Sequence, residues 1–286
     1  MWQVALPVLF AVFVWWFSTG IVMLLDGLPR TTFRWSHFIS TLLALGAFAG
    51  LDHTAEQLTA AGVFCAFTSA LLVWGWHELS FLTGWVTGPR QCALDPGTRG
   101  WGRFVQAVGT ILWHELAILA SGVVIVLLTW GDANQTGTAT FAVLWFMRIS
   151  AKLNVFLGVR NLSLQLLPPH LRYLGSYFRQ RRMNLLFPFV VTAATVVAVL
   201  LGSEALRQPV DSAAATGLWL VTTLLVLAIV EHWLLVLPLE ATALWRWAMR
   251  DSAARDTAAP AAVPVPAIPA MAAVTLDPDD KLLHAR

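Results

Sequence analysis

The sequence predicts an all-α polytopic integral membrane protein with about seven transmembrane helices, its N-terminus outside and its C-terminus in the cytoplasm. One observation behind this is a composition that is 58% hydrophobic, with a mean hydropathy of +0.69. A second is a charged fraction of 12%, where soluble domains average about 25%. The third is the order of apolar runs and basic loops described next. Because the basic residues follow membrane orientation, we do not expect a nucleic-acid partner.

Seven apolar runs follow one another along the chain, each long enough for a transmembrane helix. They cover residues 2–25, 35–51, 60–82, 104–130, 139–157, 185–202 and 217–237. The first run has no basic segment before it and no small-residue cleavage site after it. We therefore expect a retained helix and not a removed signal peptide.

The basic residues predict which side of the membrane each loop occupies. Every Lys and Arg except Arg207 lies after the first, third or fifth run, at the end of the fifth run, or in the C-terminal tail. By the positive-inside rule these segments are cytoplasmic. The regular alternation of basic and non-basic loops supports the count of seven spans.

The chain divides into two regions of different composition. Residues 1–250 hold the apolar runs and form the predicted seven-helix domain. Residues 251–286 contain an Ala/Pro-rich stretch at 258–269, which cannot form a core or a continuous helix. We therefore predict a disordered cytoplasmic tail.

Titratable pairs interrupt three of the apolar runs. His114 and Glu115 stand in Trp113-His114-Glu115-Leu116, near the middle of the fourth run, and the same tetrapeptide occurs as Trp76-His77-Glu78-Leu79 in the third. The reversed pair Glu231-His232 lies in the last run. A carboxylate at such depth costs about 2.5 to 3.5 kcal/mol or more unless it is compensated. Three pairs on three helices therefore predict one common polar cluster.

The predicted topology brings these pairs and the polar end of the fifth run together in the cytoplasmic half of the membrane. Three interpretations are open. The first is an ion-paired core, in which Glu78, Glu115 and Glu231 neutralise Arg148, Lys152 and Arg160. The second is a metal site, with the candidate ligands His77, Glu78, His114, Glu115, Glu231 and His232. The third is axial ligation of a tetrapyrrole by one histidine.

One further observation weighs against the metal site, and another weighs against several classes of enzyme. Neighbouring residues on a helix point about 100° apart, so both members of a His-Glu pair do not readily reach one ion. The chain also contains no His-Glu-x-x-His motif, no closely spaced histidines, no Walker motif and no lysine in the last run for a retinal Schiff base. No particular enzyme class is therefore indicated, and whether the protein is an enzyme stays open.

Several of these segments together resemble a known family. They are His77-Glu78-Leu79-Ser80-Phe81-Leu82-Thr83-Gly84, Thr87-Gly88-Pro89-Arg90, Trp113-His114-Glu115-Leu116, the segment from Lys152 to Asn161, and Glu231-His232-Trp233. The sequence resembles the PuhE-like photosynthetic complex assembly proteins of purple phototrophic bacteria over about residues 5–245. The Ala/Pro tail falls outside the resemblance.

The resemblance implies a multi-pass protein of the bacterial cytoplasmic membrane, inner or intracytoplasmic. It implies a membrane assembly factor for the photosynthetic reaction centre and core light-harvesting complex, which docks subunits or handles bacteriochlorophyll. Expected partners are membrane lipid and reaction-centre or light-harvesting subunits. The alternative is a metal-dependent membrane oxidoreductase acting on pigment or lipid. The cofactor is then bacteriochlorophyll or a transition metal, and the candidate cofactor-binding residues are His77, Glu78, His114, Glu115, Arg148, Lys152, Asn154, Arg160 and Asn161.

Overall fold

The computed structural model of the protein describes residues 2–162, 164, 167–239 and 244–248. Seven long helices run through these residues: α1 (Trp2–Asp26), α2 (Phe33–Thr54), α3 (Ala60–Leu82), α4 (Gly100–Leu128), α5 (Thr136–Leu157), α6 (Leu186–Arg207) and α7 (Ala213–Val236). Short 3₁₀ segments occur at Arg30–Thr32 and Pro169–Tyr177. The described residues contain one isolated parallel bridge, between Val159 and Gln180, and no longer strand. The predicted tail 251–286 lies outside the described residues.

Six of these helices are long and apolar enough to cross a membrane, namely all except α2. The prediction of an all-helical, multi-pass membrane protein is confirmed at this level. The helix α2 is 22 residues long, but Arg34, His37, Asp52 and His53 near its ends lower its apolar character.

Helices α3 and α7 lie at the centre of the bundle. Their most apolar windows are 56% and 50% buried, against 11% to 22% for the other four helices that could span. Small residues allow this close packing, since a Cβ at Gly217 of α7 would lie 2.6 Å from the hydroxyl of Thr136 on α5. On the outer helices α1, α4 and α6, many large apolar side chains are exposed. Such surfaces suit contact with lipid.

The connection after α3 packs directly against the backbone of α4. The amide of His114 donates to the carbonyl of Thr87 at 2.8 Å, and the amide of Arg90 donates to the carbonyl of Gly109 at 3.1 Å. A Cβ on Gly88 would lie 2.7 Å from the amide nitrogen of Ile111, so only glycine fits at this contact. This loop therefore fixes the stretch of α4 that carries His114.

A tryptophan-rich segment closes the gap between the end of α7 and α1. The indole of Trp245 donates to the carbonyl of Trp16, and the indole of Trp16 donates to the carbonyl of Leu244, each at 3.0 Å. The ring of Trp247 lies where a Cβ on Gly20 would be. Residues 244–248 thus belong to the helical bundle.

Candidate functional site

Helix α5 carries the two bases at the centre of the predicted cluster. Arg148 and Lys152 are four residues apart and share one face of the helix. Arg148 donates to the Glu78 carboxylate on α3 at 2.6 Å. Lys152 donates to the Glu115 carboxylate on α4 at 2.5 Å. Two ion pairs therefore join α5 to its neighbours, as the first of the three interpretations describes.

The third acidic residue of the cluster, Glu231 on α7, has a different partner. Its carboxylate accepts a hydrogen bond from the indole of Trp15 on α1 at 2.8 Å. It also interacts electrostatically with Arg148 and Glu78. We call these five charged residues, Glu78, Glu115, Arg148, Lys152 and Glu231, the charged network. It contains three carboxyl groups and two bases, so one acid has no base of its own within it.

The charged network lies deep along the helices and is not sealed from its surroundings. Arg148 is nine residues from the end of α5, which corresponds to about 13 Å. Its side chain is nevertheless 42% exposed, while that of Glu78 is 14% exposed. Glu231 is also exposed. Charged groups at such depth are expensive in a membrane and usually mark a functional site.

In each His-Glu pair the two side chains diverge. The imidazole of His77 is 2.9 Å from the hydroxyl of Ser121 on α4, while Glu78 turns to α5. The imidazole of His232 contacts the hydroxyl of Ser150 at 2.7 Å and the carbonyl of Ala228 at 2.8 Å. Adjacent helical residues point about 100° apart, which accounts for this divergence.

Among the histidines that the structure describes, His114 is the one whose imidazole has no polar partner. Its side chain is 1% exposed, and neither ring nitrogen has a hydrogen-bond partner among the described residues. Its ring packs against Phe81, with 4.6 Å between centroids, and lies 6.3 Å from the ring of His77. This imidazole therefore keeps its capacity to ligate or to donate a hydrogen bond.

Three further candidates from the sequence lie outside the charged network. The side chain of Asn154 pairs with Asn184 at 2.9 Å, and Asn184 in turn accepts from the first amides of α6. The side-chain amide of Asn161 donates to the carbonyls of Leu234 and Leu237 at the end of α7. These two asparagines join helix ends. Arg160 is exposed in the loop after α5.

The predicted metal ligands do not converge in the part of the chain that the structure describes. There, no group of three or more His, Cys, Asp or Glu side chains could hold a metal ion. The divergence of the His-Glu pairs is the physical reason. The sequence also did not reveal Trp15, Ser121 and Ser150 as partners, because an isolated Ser or Trp in an apolar run carries no distinguishing signal.

The loop that packs on α4 is stabilised at Arg90, outside the helices. Its guanidinium donates to the hydroxyl of Tyr177 at 2.8 Å and to the carboxylate of Asp95 at 2.6 Å. The hydrogen bond to Tyr177, followed by that to Asp95, raises the pKa of Arg90 above its usual value. Arg90 thus stays charged and ties the motif Thr87–Arg90 to the 3₁₀ segment.

Comparison with known proteins assigns the chain to a family over most of its length. The family described as "Protein of unknown function (DUF3623)" matches residues 1–256. The chain belongs to this family. The match includes all seven long helices and the charged network, and it ends within the tail.

A relative from Rhodobacter capsulatus is described as an uncharacterized 30.4 kDa protein in the puhA 5' region. It is 39% identical to this chain over 269 residues, covering 93% of this chain and 96% of the relative. No solved structure matches the chain. The chain and this relative therefore correspond over nearly their full lengths.

Proposed function

We propose that this protein is a PuhE-like membrane assembly factor for the photosynthetic reaction centre and core light-harvesting complex. In this proposal it has seven spans, with the N-terminus outside and the tail in the cytoplasm, and it docks a newly made subunit through the charged network. The location of the relative in the region of puhA, a reaction-centre gene, supports the process. The geometry of the network supports the docking role.

The observation that carries the proposal is a partly exposed ion pair deep along the helices. A pair that only compensated charge would be stabilised by complete burial among protein dipoles, because lipid gives no hydrogen bonds. The side chain of Arg148 is instead 42% exposed, and the neighbouring Glu231 is exposed as well. A polar or charged group on a partner helix would satisfy these side chains within the membrane.

Pigment handling is a second candidate role, supported by a separate observation. His114 is the buried imidazole without a hydrogen-bond partner in the described residues, and an imidazole nitrogen is a common axial ligand of tetrapyrrole metals. In this role His114 would bind the pigment metal, and Phe81 would pack beside the ring system. The two roles involve different residues, so they are separable by substitution.

The test uses a phototrophic strain that lacks the gene and is complemented with variants. Glu78→Gln/Arg148→Gln removes both members of the partly exposed pair, while Glu231 keeps its hydrogen bond from the Trp15 indole. The control Glu204→Gln/Arg207→Gln removes the surface pair of α6, which is 3.4 Å apart with side chains 45% and 77% exposed. We expect both variants to accumulate in the membrane. The first should lose the near-infrared absorption of the reaction centre and core antenna, and the control should keep it.

Affinity purification from the same strains separates docking from pigment handling. Docking predicts that the tagged protein retains a reaction-centre or light-harvesting subunit, and that Glu78→Gln/Arg148→Gln loses it. Pigment handling predicts bacteriochlorophyll absorption in the purified protein and its loss in His114→Leu. Normal complexes in the Glu78→Gln/Arg148→Gln strain would refute the docking role.

A further inference from the structure

A second polar site lies apart from the charged network, in the loops between α5 and α6. An open pocket of about 520 Å³ is lined there by Arg160, Gln180, Arg181 and Arg182. We propose that this arginine pocket binds the phosphodiester headgroup of an anionic phospholipid. This inference does not depend on the proposed assembly role, because it concerns residues outside the charged network and a different class of ligand.

Backbone hydrogen bonds hold the arginines of the pocket in place. The amide of Val159 donates to the carbonyl of Arg179 at 3.2 Å, and the amide of Arg181 donates to the carbonyl of Val159 at 3.0 Å. These two bonds join the segment after α5 to the segment before α6. Arg160 and Arg182 therefore project from one connected platform, although they are far apart in sequence.

Two residues make this platform rigid. Gly158 has a φ of +128°, and a Cβ there would lie 2.8 Å from the Cδ of Arg181, so the stem of Arg181 lies directly against the backbone. Arg103 is 5% exposed, and its guanidinium donates to the carbonyls of Phe156 at 2.8 Å and Tyr177 at 2.5 Å. It also stacks on the Phe156 ring at 3.9 Å. These contacts hold the backbone around the pocket in one position.

The positive charge of the pocket is not neutralised by the described residues. Arg160, Arg179, Arg181 and Arg182 form no ion pair there, since the ion pairs of the described chain lie elsewhere. The buried Arg103 interacts electrostatically with Arg179 and Arg181, and both interactions are repulsive. A bound anion would relieve this repulsion. The positive-inside rule explains why arginines lie on this side, but it does not require them to surround one pocket.

Apolar residues beside the pocket favour a lipid over a soluble phosphate compound. Met183 and Leu185 lie within three residues of Arg182 and are 51% and 84% exposed, and Phe189 in the first turn of α6 is 74% exposed. Exposed apolar groups next to guanidinium groups match the boundary between headgroup and acyl chains. Basic pockets at the ends of membrane helices bind anionic headgroups in this way.

The test measures lipid retention by the purified full-length chain. Wild-type protein in detergent is titrated with phosphatidylglycerol or phosphatidylcholine, and bound lipids are counted by native mass spectrometry. The variant Arg160→Gln/Arg181→Gln/Arg182→Gln removes the pocket charges. The control Arg34→Gln/Arg99→Gln/Arg172→Gln removes three exposed arginines on the same predicted side. Circular dichroism and gel filtration check that each variant is folded.

We expect wild type and control to retain phosphatidylglycerol in preference to phosphatidylcholine. Each arginine at an anionic membrane surface is worth on the order of fivefold in binding, so the pocket variant should retain at least about tenfold less. Equal retention in all three proteins, equal losses in pocket variant and control, or equal retention of both lipids would overturn the proposal.

Two further measurements test the proposal if the triple variant does not fold or if the pocket binds any phosphate group. If the triple variant does not fold, Arg182→Gln alone, compared with Arg172→Gln, provides the same contrast with less disturbance of the platform. Inorganic phosphate is then added to the wild-type complex. Displacement of the lipid by millimolar phosphate would show a general phosphate site and overturn the lipid assignment, whereas a retained lipid supports it.

Discussion

Replacing Glu115 by Gln tests whether the ion pair with Lys152 stabilises the fold. The side chains of Lys152 and Glu115 are 22% and 23% exposed, with 2.5 Å between Nζ and Oε1. Removing one partner of a buried pair costs about 3 to 5 kcal/mol. Both side chains are partly exposed, so contact with solvent or headgroups weakens the ion pair and also lowers the cost of leaving Lys152 unpaired. We therefore expect the loss of folding free energy to lie near 3 kcal/mol. Neutralising an unpaired lysine at pH 7 would cost about 4 to 5 kcal/mol, which sets an upper limit on the loss of stability.

A loss near 3 kcal/mol reduces the folded-to-unfolded ratio by roughly 150-fold. We therefore expect Glu115→Gln to lower both the melting temperature in detergent and the abundance in the membrane. The double variant Glu115→Gln/Lys152→Met removes the lone charge and should recover most of the loss. The exposed pair Glu204 and Arg207 serves as the control, and Glu204→Gln should change neither quantity measurably.

The same strains distinguish stability from function. Membrane abundance is measured by immunoblot beside the near-infrared spectrum of the photosynthetic complexes. If the double variant restores the protein but not the complexes, the pair has a role beyond folding. Restoration of both would make it purely structural. Wild-type melting and abundance in Glu115→Gln would refute the stabilising role of this ion pair.

Further predictions concern topology, the tail and the loop that packs on α4. Reporter fusions should place residues 85–100 and 165–180 in the cytoplasm and residues 131–137 outside, and periplasmic activity from the loop around Arg179 would refute the seven spans. Deletion of residues 256–286 should leave abundance and complex formation unchanged, because the sequence predicts no buried surface there; normal abundance without complexes would make the tail a docking segment. Gly88→Ala should lower the melting temperature, since its Cβ would meet the α4 backbone, while the control Gly46→Ala, with nothing within 4 Å of the new Cβ, should not.

Much of the helical architecture could be predicted from the sequence because a membrane constrains it strongly. Apolar runs of about 20 residues have few alternatives to helices when no water satisfies their backbone. The prediction for 60–82 coincides with α3, and that for 139–157 begins three residues inside α5. The largest difference is at the end of α6, which reaches Arg207 rather than 202. Helix α7 begins at Ala213 rather than 217 because the Ser212 hydroxyl accepts from the amide of Ala215 and caps it.

The candidate site was predictable in its residue types and depth but not in its pairings. Glu78 and Glu115 were expected to meet a base from the fifth run, and helix periodicity already placed Arg148 and Lys152 on one face. Which acid meets which base depends on the rotation of α3 and α4 about their axes. An apolar run does not specify that rotation when its polar residues are few. For the same reason the serine partners of His77 and His232 appear only in the structure.

The loop from Thr87 to Arg90 lies outside the helices but connects to the charged network through α4. Its backbone bonds to α4 at Gly109 and His114, so the loop sets the position of His114 and, one residue later, of Glu115. Glu115 holds Lys152, which shares its helix face with Arg148. A change at Gly88 would therefore move an ion pair that it does not touch. The loop therefore positions one acid of the charged network from outside the helices, through its backbone hydrogen bonds to α4.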